Sequence, residues 1–275
     1  MTVTLAAHLR ERRVAVALSS AFFGFFAHTG FLRALEAAGV APVAFGGTSA
    51  GAMAAAFAGA DRLDRFQALI TSVHRRDFWD PSPRLAPPVG LLKGRLFEGL
   101  LRDHLPSRFE DCPTPVITVS TNLTTRGRQV DTRGDLPLAV LASSALPILF
   151  HPVRRGPDLH VDGGLLDKVP GRAMWDHGPP FDVLLVHQIP SAGLERPVAR
   201  SPMRFVDQAL DWVRADAWGH QAAALRALGV EIVEITSRPP ARPNPFRLDR
   251  GLQALAAAHA GTAAALAAGH TVPRQ

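Results

Sequence analysis

Apolar and polar positions follow two spacings that alternate along most of the chain. Short continuous apolar runs predict buried strands of the kind found in parallel sheets, at residues 14–18, 40–45, 116–121, 181–188 and 230–236. Apolar positions repeating every three or four residues predict helices at residues 30–38, 50–58, 136–146, 205–228 and 252–268. Strands that alternate with helices predict an α/β protein with a mostly parallel central sheet.

Residues 60–112 depart from this alternation. Helical patches there are interrupted by prolines, which cannot continue a helix, at positions 81, 83, 87 and 88. The segment therefore predicts a helical cap or side wall rather than sheet strands. No internal repeat or low-complexity linker marks a boundary elsewhere, so we predict a single domain over residues 1–275.

Composition and charge limit the partners and the cellular compartment that we expect for this protein. The net charge of +6 comes almost entirely from arginine, and no block of five or six like charges occurs, so we expect no nucleic-acid partner. The single cysteine, Cys112, cannot form an internal disulfide, which fits a reducing cytoplasm. The apolar run at residues 14–27 contains a predicted central strand, and the alanine-rich stretch near residue 260 is interrupted by polar residues. We expect a soluble cytoplasmic protein.

The stretch most informative about chemistry is Phe-Gly-Gly-Thr-Ser-Ala-Gly at residues 45–51. Ser49 is predicted to lie on a sharp turn between a strand and a helix, flanked at two residues' distance by Gly47 and Gly51. A nucleophile held in a strained turn needs neighbours without Cβ atoms, which the two elbow glycines supply. A Gly-x-Ser-x-Gly elbow on only the second strand comes earlier than in α/β-hydrolases, whose histidine-dependent triad nevertheless remains an alternative.

Four stretches in order resemble the patatin-like phospholipase family of serine acyl hydrolases. They are Ala-His-Thr-Gly-Phe-Leu at residues 27–32, the elbow at 47–51, residues 142–153 from Ala-Ser-Ser-Ala-Leu-Pro to His-Pro-Val, and Val-Asp-Gly-Gly-Leu at 161–165 followed by Val-Pro at 169–170. The resemblance implies a three-layer α/β/α sandwich. It also implies a catalytic dyad of Ser49 and Asp162, with no cofactor and a lipid ester as substrate.

The residues are consistent with that chemistry. A carboxylate with its ordinary pKa of about 4 is a poor base for a serine hydroxyl, but burial raises the pKa of a carboxyl. Asp162 in a dry site would accept the proton of Ser49 and later activate water, so that carboxylic esters are cleaved through an acyl-Ser49 intermediate. An Asp-Gly pair is also a common turn, which is the structural alternative for Asp162.

The loop after the first strand departs from the family pattern. The family's three glycines fall on Ser20, Ala21 and Phe22, and its basic residue falls on Gly24. Backbone N–H groups need no particular side chain, so Ser20, Ala21, Phe22 and Ala50 remain candidates for the oxyanion hole. The alternative function is a patatin-fold protein that binds lipid or acts as a scaffold with little or no turnover.

Phenylalanines dominate the same loop. Phe23, Phe25 and Phe26 are candidates for the wall of an acyl pocket, and with Phe22 they could equally contact a membrane surface transiently or pack into the core. His28 is predicted to be structural, and Ser143 and Ser144 to be helix and turn residues near the pocket. No spacing of histidine, cysteine or carboxylate residues is typical of a metal site, so no metal is predicted.

Overall fold

The computed structural model describes residues 2–82, 90–190, 197–198, 202–240, 243–244 and 246–271, with only the backbone described at 202–204 and 206–207. The strands are β1 Thr2–Thr4, β2 Val14–Leu18, β3 Ala44–Thr48, β4 Gly90–Leu92, β5 Val116–Asn122, β6 Gly127–Asp131, β7 Ile148–Phe150, β8 Val153–Arg155, β9 Asp158–Asp162, β10 Val183–Gln188, β11 Glu231–Thr236 and β12 Gly269–Thr271. The α-helices are α1 Leu5–Arg10, α2 Phe25–Ala37, α3 Ala50–Gly59, α4 Leu63–Ser72, α5 Arg95–His104, α6 Leu136–Ser143, α7 Gly171–His177, α8 Pro202–Ala227 and α9 Asp249–Ala267.

An eight-stranded sheet organises these elements. Its order is β11-β10-β2-β3-β5-β9-β8, with β6 also paired to β5, and the strands from β11 to β5 are mutually parallel. The antiparallel part is formed by β6, β9 and β8. The prediction of a mostly parallel sheet with a turn after β5 is confirmed.

Helices cover both faces of the sheet, because its central strands are apolar on both sides. Along β2, Val14, Val16 and Leu18 belong to the core shared with α2, α3 and α9, whereas Ala15 and Ala17 belong to the core shared with α7 and α8. In β10, successive residues divide between the same two cores. This two-sided burial is the physical basis of a three-layer α/β/α sandwich.

Two boundaries differ from the sequence predictions by more than three residues. The strand predicted at residues 40–45 is β3 at Ala44–Thr48, because Gly46 and Gly47 pair with β2 on one side and β5 on the other and are held extended. Helix α2 begins at Phe25, five residues before the predicted start, so the preceding loop is shorter than expected. The small antiparallel pair of β1 and β12 was not predicted.

The segment at residues 60–112 contains α4, α5 and short 3-10 turns in its described part. It also contains β4, which pairs with β7 outside the main sheet, so the expectation that it held no sheet strand is corrected for these three residues. Pro83, Pro87 and Pro88 lie outside the described residues. No helix in the described ranges is both long enough and apolar enough to cross a bilayer.

A close helix crossing holds α9 against α2, and it depends on glycine at the contact. A Cβ atom at Gly30 would lie 2.1 Å from the carbonyl oxygen of Leu255, and one at Gly251 would lie 2.4 Å from the ring of Phe26. These distances are far below normal van der Waals separation, so neither position can carry a side chain without moving backbone or a buried ring.

We predict that Gly30→Ala lowers the free energy of unfolding by about 2 to 3 kcal/mol, because the added methyl group must push α9 away from α2. Gly261→Ala is the matched control on α9, since a Cβ atom there meets nothing within 4 Å. Gly261→Ala should raise the free energy of unfolding by about 0.5 to 1 kcal/mol, because glycine is less favourable than alanine inside a helix. Urea unfolding of both variants measures the difference. Equal effects of the two substitutions would contradict this account of the crossing.

Candidate active site

Ser49 lies at the junction of β3 and α3 in a strained conformation. Its φ of 58° and ψ of −124° lie outside the regions that residues with a side chain normally adopt. The elbow glycines permit this: a Cβ atom at Gly47 would lie 2.1 Å from the carbonyl oxygen of Gly51, and one at Gly51 would lie 2.1 Å from that of Leu18. The strain is held by close packing of backbone against backbone.

Two neighbouring serines hold the turn from α6. The Ser49 N–H donates to the Ser143 hydroxyl oxygen at 2.9 Å, and the Ser144 hydroxyl donates to the Ser49 carbonyl oxygen at 3.2 Å. Ser143 in turn donates to the carbonyl oxygen of Val119 on β5 at 2.6 Å. These residues therefore fix the elbow to the next strand, a role consistent with their prediction as helix and turn residues.

Asp162 ends β9 and is 4% exposed. Its backbone N–H donates to the Ala145 carbonyl oxygen at 2.9 Å, and its carbonyl oxygen accepts the Thr121 hydroxyl at 3.0 Å. The carboxylate accepts a hydrogen bond from the Gly164 N–H at 2.7 Å, and the Ser49 hydroxyl lies close enough to stabilise its ionised form. The structure thus places the two predicted dyad residues next to each other at one cavity.

Burial raises the pKa of Asp162 from 3.8 to about 6. The nearby Ser49 hydroxyl, the hydrogen bond from the Gly164 N–H and the positive charge of Arg214 favour the ionised form and limit this rise in pKa. The carboxylate is therefore mostly ionised at neutral pH and yet much more basic than an exposed aspartate. A group with these properties can accept a proton from a neighbouring hydroxyl.

Arg214 and Asp211 of α8 also line the site, and sequence reasoning did not find them. The two side chains form an ion pair at 3.3 Å and are 17% and 5% exposed respectively. The Arg214 Nε is buried without a hydrogen-bond partner in the described part of the chain. No motif marks these residues, because charged pairs three positions apart are common on solvated helices.

Ser49 and Asp162 open into an apolar cavity of about 590 Å³. Phenylalanine side chains form much of its wall, and they come from the loop after β2, the start of α2, residues 60–112 and β7: Phe22, Phe23, Phe25, Phe78, Phe97 and Phe150. Phe26 does not line the cavity, because it faces the core between α2 and α9 and is 1% exposed. The acyl-pocket expectation for Phe26 is therefore corrected, and Phe78, Phe97 and Phe150 are wall residues that the sequence did not indicate.

The oxyanion-hole candidates differ in the availability of their N–H groups. The Ser20 N–H donates to the Lys168 carbonyl oxygen at 2.8 Å, so it is already engaged and is no longer a candidate. In the described ranges, the N–H groups of Ala21, Phe22 and Ala50 donate to no protein acceptor. The one non-glycine residue of this loop with positive φ is Phe23, at 54°.

No histidine is among the described residues that line the cavity. His28 is fully buried, and its ring nitrogens face the Ser19 carbonyl oxygen at 2.9 Å and the His187 Nδ1 at 2.8 Å. Burial lowers the pKa of His28 to about 4, so this imidazole is neutral at physiological pH. His28 therefore anchors the loop after β2 and does not contact Ser49.

The family model described as patatin-like phospholipase matches residues 16–175, a span that contains both Ser49 and Asp162. The chain belongs to the patatin-like phospholipase family. This membership confirms the fold class expected from the four resembling stretches.

Curated relatives from mycobacteria agree with this family. An uncharacterized NTE family protein of Mycobacterium bovis is 34% identical over 162 residues, covering 58% of this chain and 44% of the relative. Another, from Mycobacterium tuberculosis, is 37% identical over 154 residues, covering 54% of this chain and 26% of the relative. The matches thus span less than half the length of these relatives. Among solved structures, VipD from Legionella pneumophila aligns with a TM-score of 0.47 and 14% identity over 93% of this chain and 67% of VipD.

We predict that Asp162→Asn stabilises this patatin-family protein at pH 8. Because the pKa of Asp162 is about 6 in the folded protein and 3.8 as the ordinary value, ionising this carboxyl lowers the free energy of unfolding by about 3 kcal/mol. This cost is absent below about pH 4, and it develops in full as the pH rises through about 6. Asparagine carries no charge and should recover up to that amount at pH 8 but little at pH 4.

Urea unfolding at both pH values measures this effect, with Asp103→Asn as the control because Asp103 is exposed on α5. Destabilisation by Asp162→Asn at pH 8, or an equal change in the control, would contradict the predicted cost of the buried charge.

Proposed function

We propose that this protein is a serine esterase that hydrolyses carboxylic esters of lipids, with Ser49 as nucleophile and Asp162 as its base. The observation that carries the proposal is the position of the Ser49 hydroxyl beside a buried, unusually basic Asp162 carboxylate, with both side chains on one cavity. Family membership supports the reaction class. The apolar cavity in front of the pair suits an acyl chain rather than a polar substrate.

In the proposed reaction, the Ser49 Oγ attacks the ester carbonyl carbon while its proton passes to Asp162. The negative charge that develops on the carbonyl oxygen would be stabilised by the N–H groups of Ala50 and of Ala21 or Phe22. The positive end of the α3 dipole lies beside Ser49 and adds to that stabilisation. Protonated Asp162 returns the proton to the leaving alkoxide, and then deprotonates the water that cleaves the acyl-Ser49 ester.

The second candidate function is lipid binding without turnover. The observation that favours it is the loop after β2, where the family's glycines are replaced and the Ser20 N–H is occupied by Lys168. Loss of one oxyanion donor costs about 3 kcal/mol of transition-state stabilisation in comparable sites. The cavity could then retain lipid while the reaction is slow.

The first test is covalent labelling. We predict that a fluorophosphonate labels wild-type protein at Ser49, and that Ser49→Ala abolishes labelling and ester hydrolysis together. Asp162→Asn should lower hydrolysis of a medium-chain p-nitrophenyl ester by at least about 1,000-fold, because the hydroxyl loses its proton acceptor. Ser107→Ala is the control, since Ser107 is exposed and outside the cavity. Absence of label at Ser49 in folded wild-type protein would reject the esterase in favour of lipid binding.

The second test is the pH dependence of kcat/KM on the same neutral ester. We predict an acidic limb near pH 6, below which the rate falls about tenfold per pH unit as Asp162 becomes protonated. Arg214→Gln removes a positive charge that lowers the pKa of Asp162, so the limb should move to higher pH. Arg226→Gln, an exposed change on the same helix, should leave it in place. An unmoved limb in Arg214→Gln would show that the limb belongs to another group.

A further inference from the structure

Three side chains with metal-ligating atoms meet outside the cavity. They are His8 of α1, Glu231 at the start of β11, and His270 of β12. The His8 Nε2 lies 2.9 Å from one Glu231 carboxylate oxygen and the His270 Nε2 lies 3.0 Å from the other. One ligand atom from each residue can be chosen so that all three lie within 4.8 Å of one another.

The backbone positions these side chains firmly. His270 is paired with Val3 in the β1–β12 ladder, and the Leu5 N–H donates to the Ala268 carbonyl oxygen at 3.0 Å where α1 begins. The Glu231 N–H donates to the Asp182 carbonyl oxygen at 3.0 Å at the edge of the main sheet. His8 is 4% exposed, so its ring has little freedom to turn away. The cluster is therefore largely preorganised.

The donor set has a recognisable chemistry. Two imidazole nitrogens and one carboxylate oxygen are ligands that Zn²⁺ and related divalent transition ions accept. Two ligand atoms each about 2.1 Å from one ion lie about 3.0 Å apart at right angles and about 3.4 Å apart in a tetrahedron. The observed nitrogen–oxygen separations match the first value and need only a small side-chain rotation to reach the second.

The cluster is remote from the dyad. Glu231 is the first residue of β11 and pairs with Val183, the first residue of β10, whereas Ser49 directly follows the last residue of β3. The cluster therefore lies at the amino end of the parallel strands, and Ser49 lies at their carboxyl end. None of the three ligand residues lines the cavity. An ion bound here would stabilise the fold and would not take part in ester cleavage.

We propose that His8, Glu231 and His270 bind one divalent transition-metal ion such as Zn²⁺. The ion would connect the β1–β12 ladder and α1 to the edge strand β11. Sequence spacing could not indicate this site, because Glu231 lies 223 residues after His8 and 39 residues before His270. Without the ion, the same groups form two hydrogen bonds, so the test must separate ion binding from hydrogen bonding.

The experiment uses the full chain after treatment with EDTA and dialysis. Isothermal titration with ZnCl₂ and the visible absorption of added Co²⁺ report binding, and thermal unfolding reports stability. Glu231→Gln keeps a similar shape and can still form hydrogen bonds, and His270→Ala removes a ligand that is only half-buried. Both variants therefore leave the buried His8 unchanged, so that the fold is preserved. His220→Ala is the control, because His220 is an exposed histidine that faces Asp216 on α8.

We expect one equivalent of Zn²⁺ to bind wild type and His220→Ala and to raise their melting temperatures reversibly. In Glu231→Gln and His270→Ala, the affinity for Zn²⁺ should fall by at least about 100-fold. Such a fall exceeds the loss expected when only a residue that hydrogen-bonds to a metal ligand is removed. Esterase activity of wild type should be equal with and without EDTA. No stoichiometric binding by wild type, or equal affinity in all four proteins, would overturn the proposal and leave the three residues as a hydrogen-bonded clamp.

Discussion

The relative positions of Ser49 and Asp162 depend on one strand, β5, which changes its partner halfway along. Val119 of β5 pairs with Thr48, the residue before Ser49, and the next residue, Ser120, pairs with Asp162. The placement of Ser49 and Asp162 beside each other is therefore set by two adjacent residues of a single strand. A Cβ atom at Gly163 would lie 2.1 Å from the Val119 carbonyl oxygen, so only glycine allows the chain after Asp162 to pass this closely.

This arrangement places two unfavourable features side by side: Ser49 has a strained backbone, and Asp162 buries a charge that water would otherwise solvate. Each is tolerated because its surroundings leave no alternative position. The hydrogen bonds from Ser143 and Ser144 hold the elbow, and the Gly164 N–H holds the carboxylate. The rest of the sandwich supplies the stability that compensates for these local costs, as is common where a site is preorganised for chemistry.

Local patterns predicted most of the architecture because helix and strand periodicity depend on residues close in sequence. The alternation of elements and the two-sided apolar character of β2 were sufficient for the α/β class. Boundaries failed where neighbouring strands overrode local preference: Gly46 and Gly47 suggest a turn, yet ladders on both sides hold them extended in β3. The β1–β12 pair was missed because three-residue strands carry almost no periodic signal.

For the site, local sequence motifs were enough to predict a serine in a glycine-flanked elbow and an Asp-Gly-Gly turn more than a hundred residues later. They could not predict that Ser49 and Asp162 lie next to each other, that Phe26 faces the core, or that Arg214 lies near the carboxylate. The same holds for the meeting of His8, Glu231 and His270. The physical reason is that such contacts arise from strand order and helix packing, which no local spacing of residues encodes.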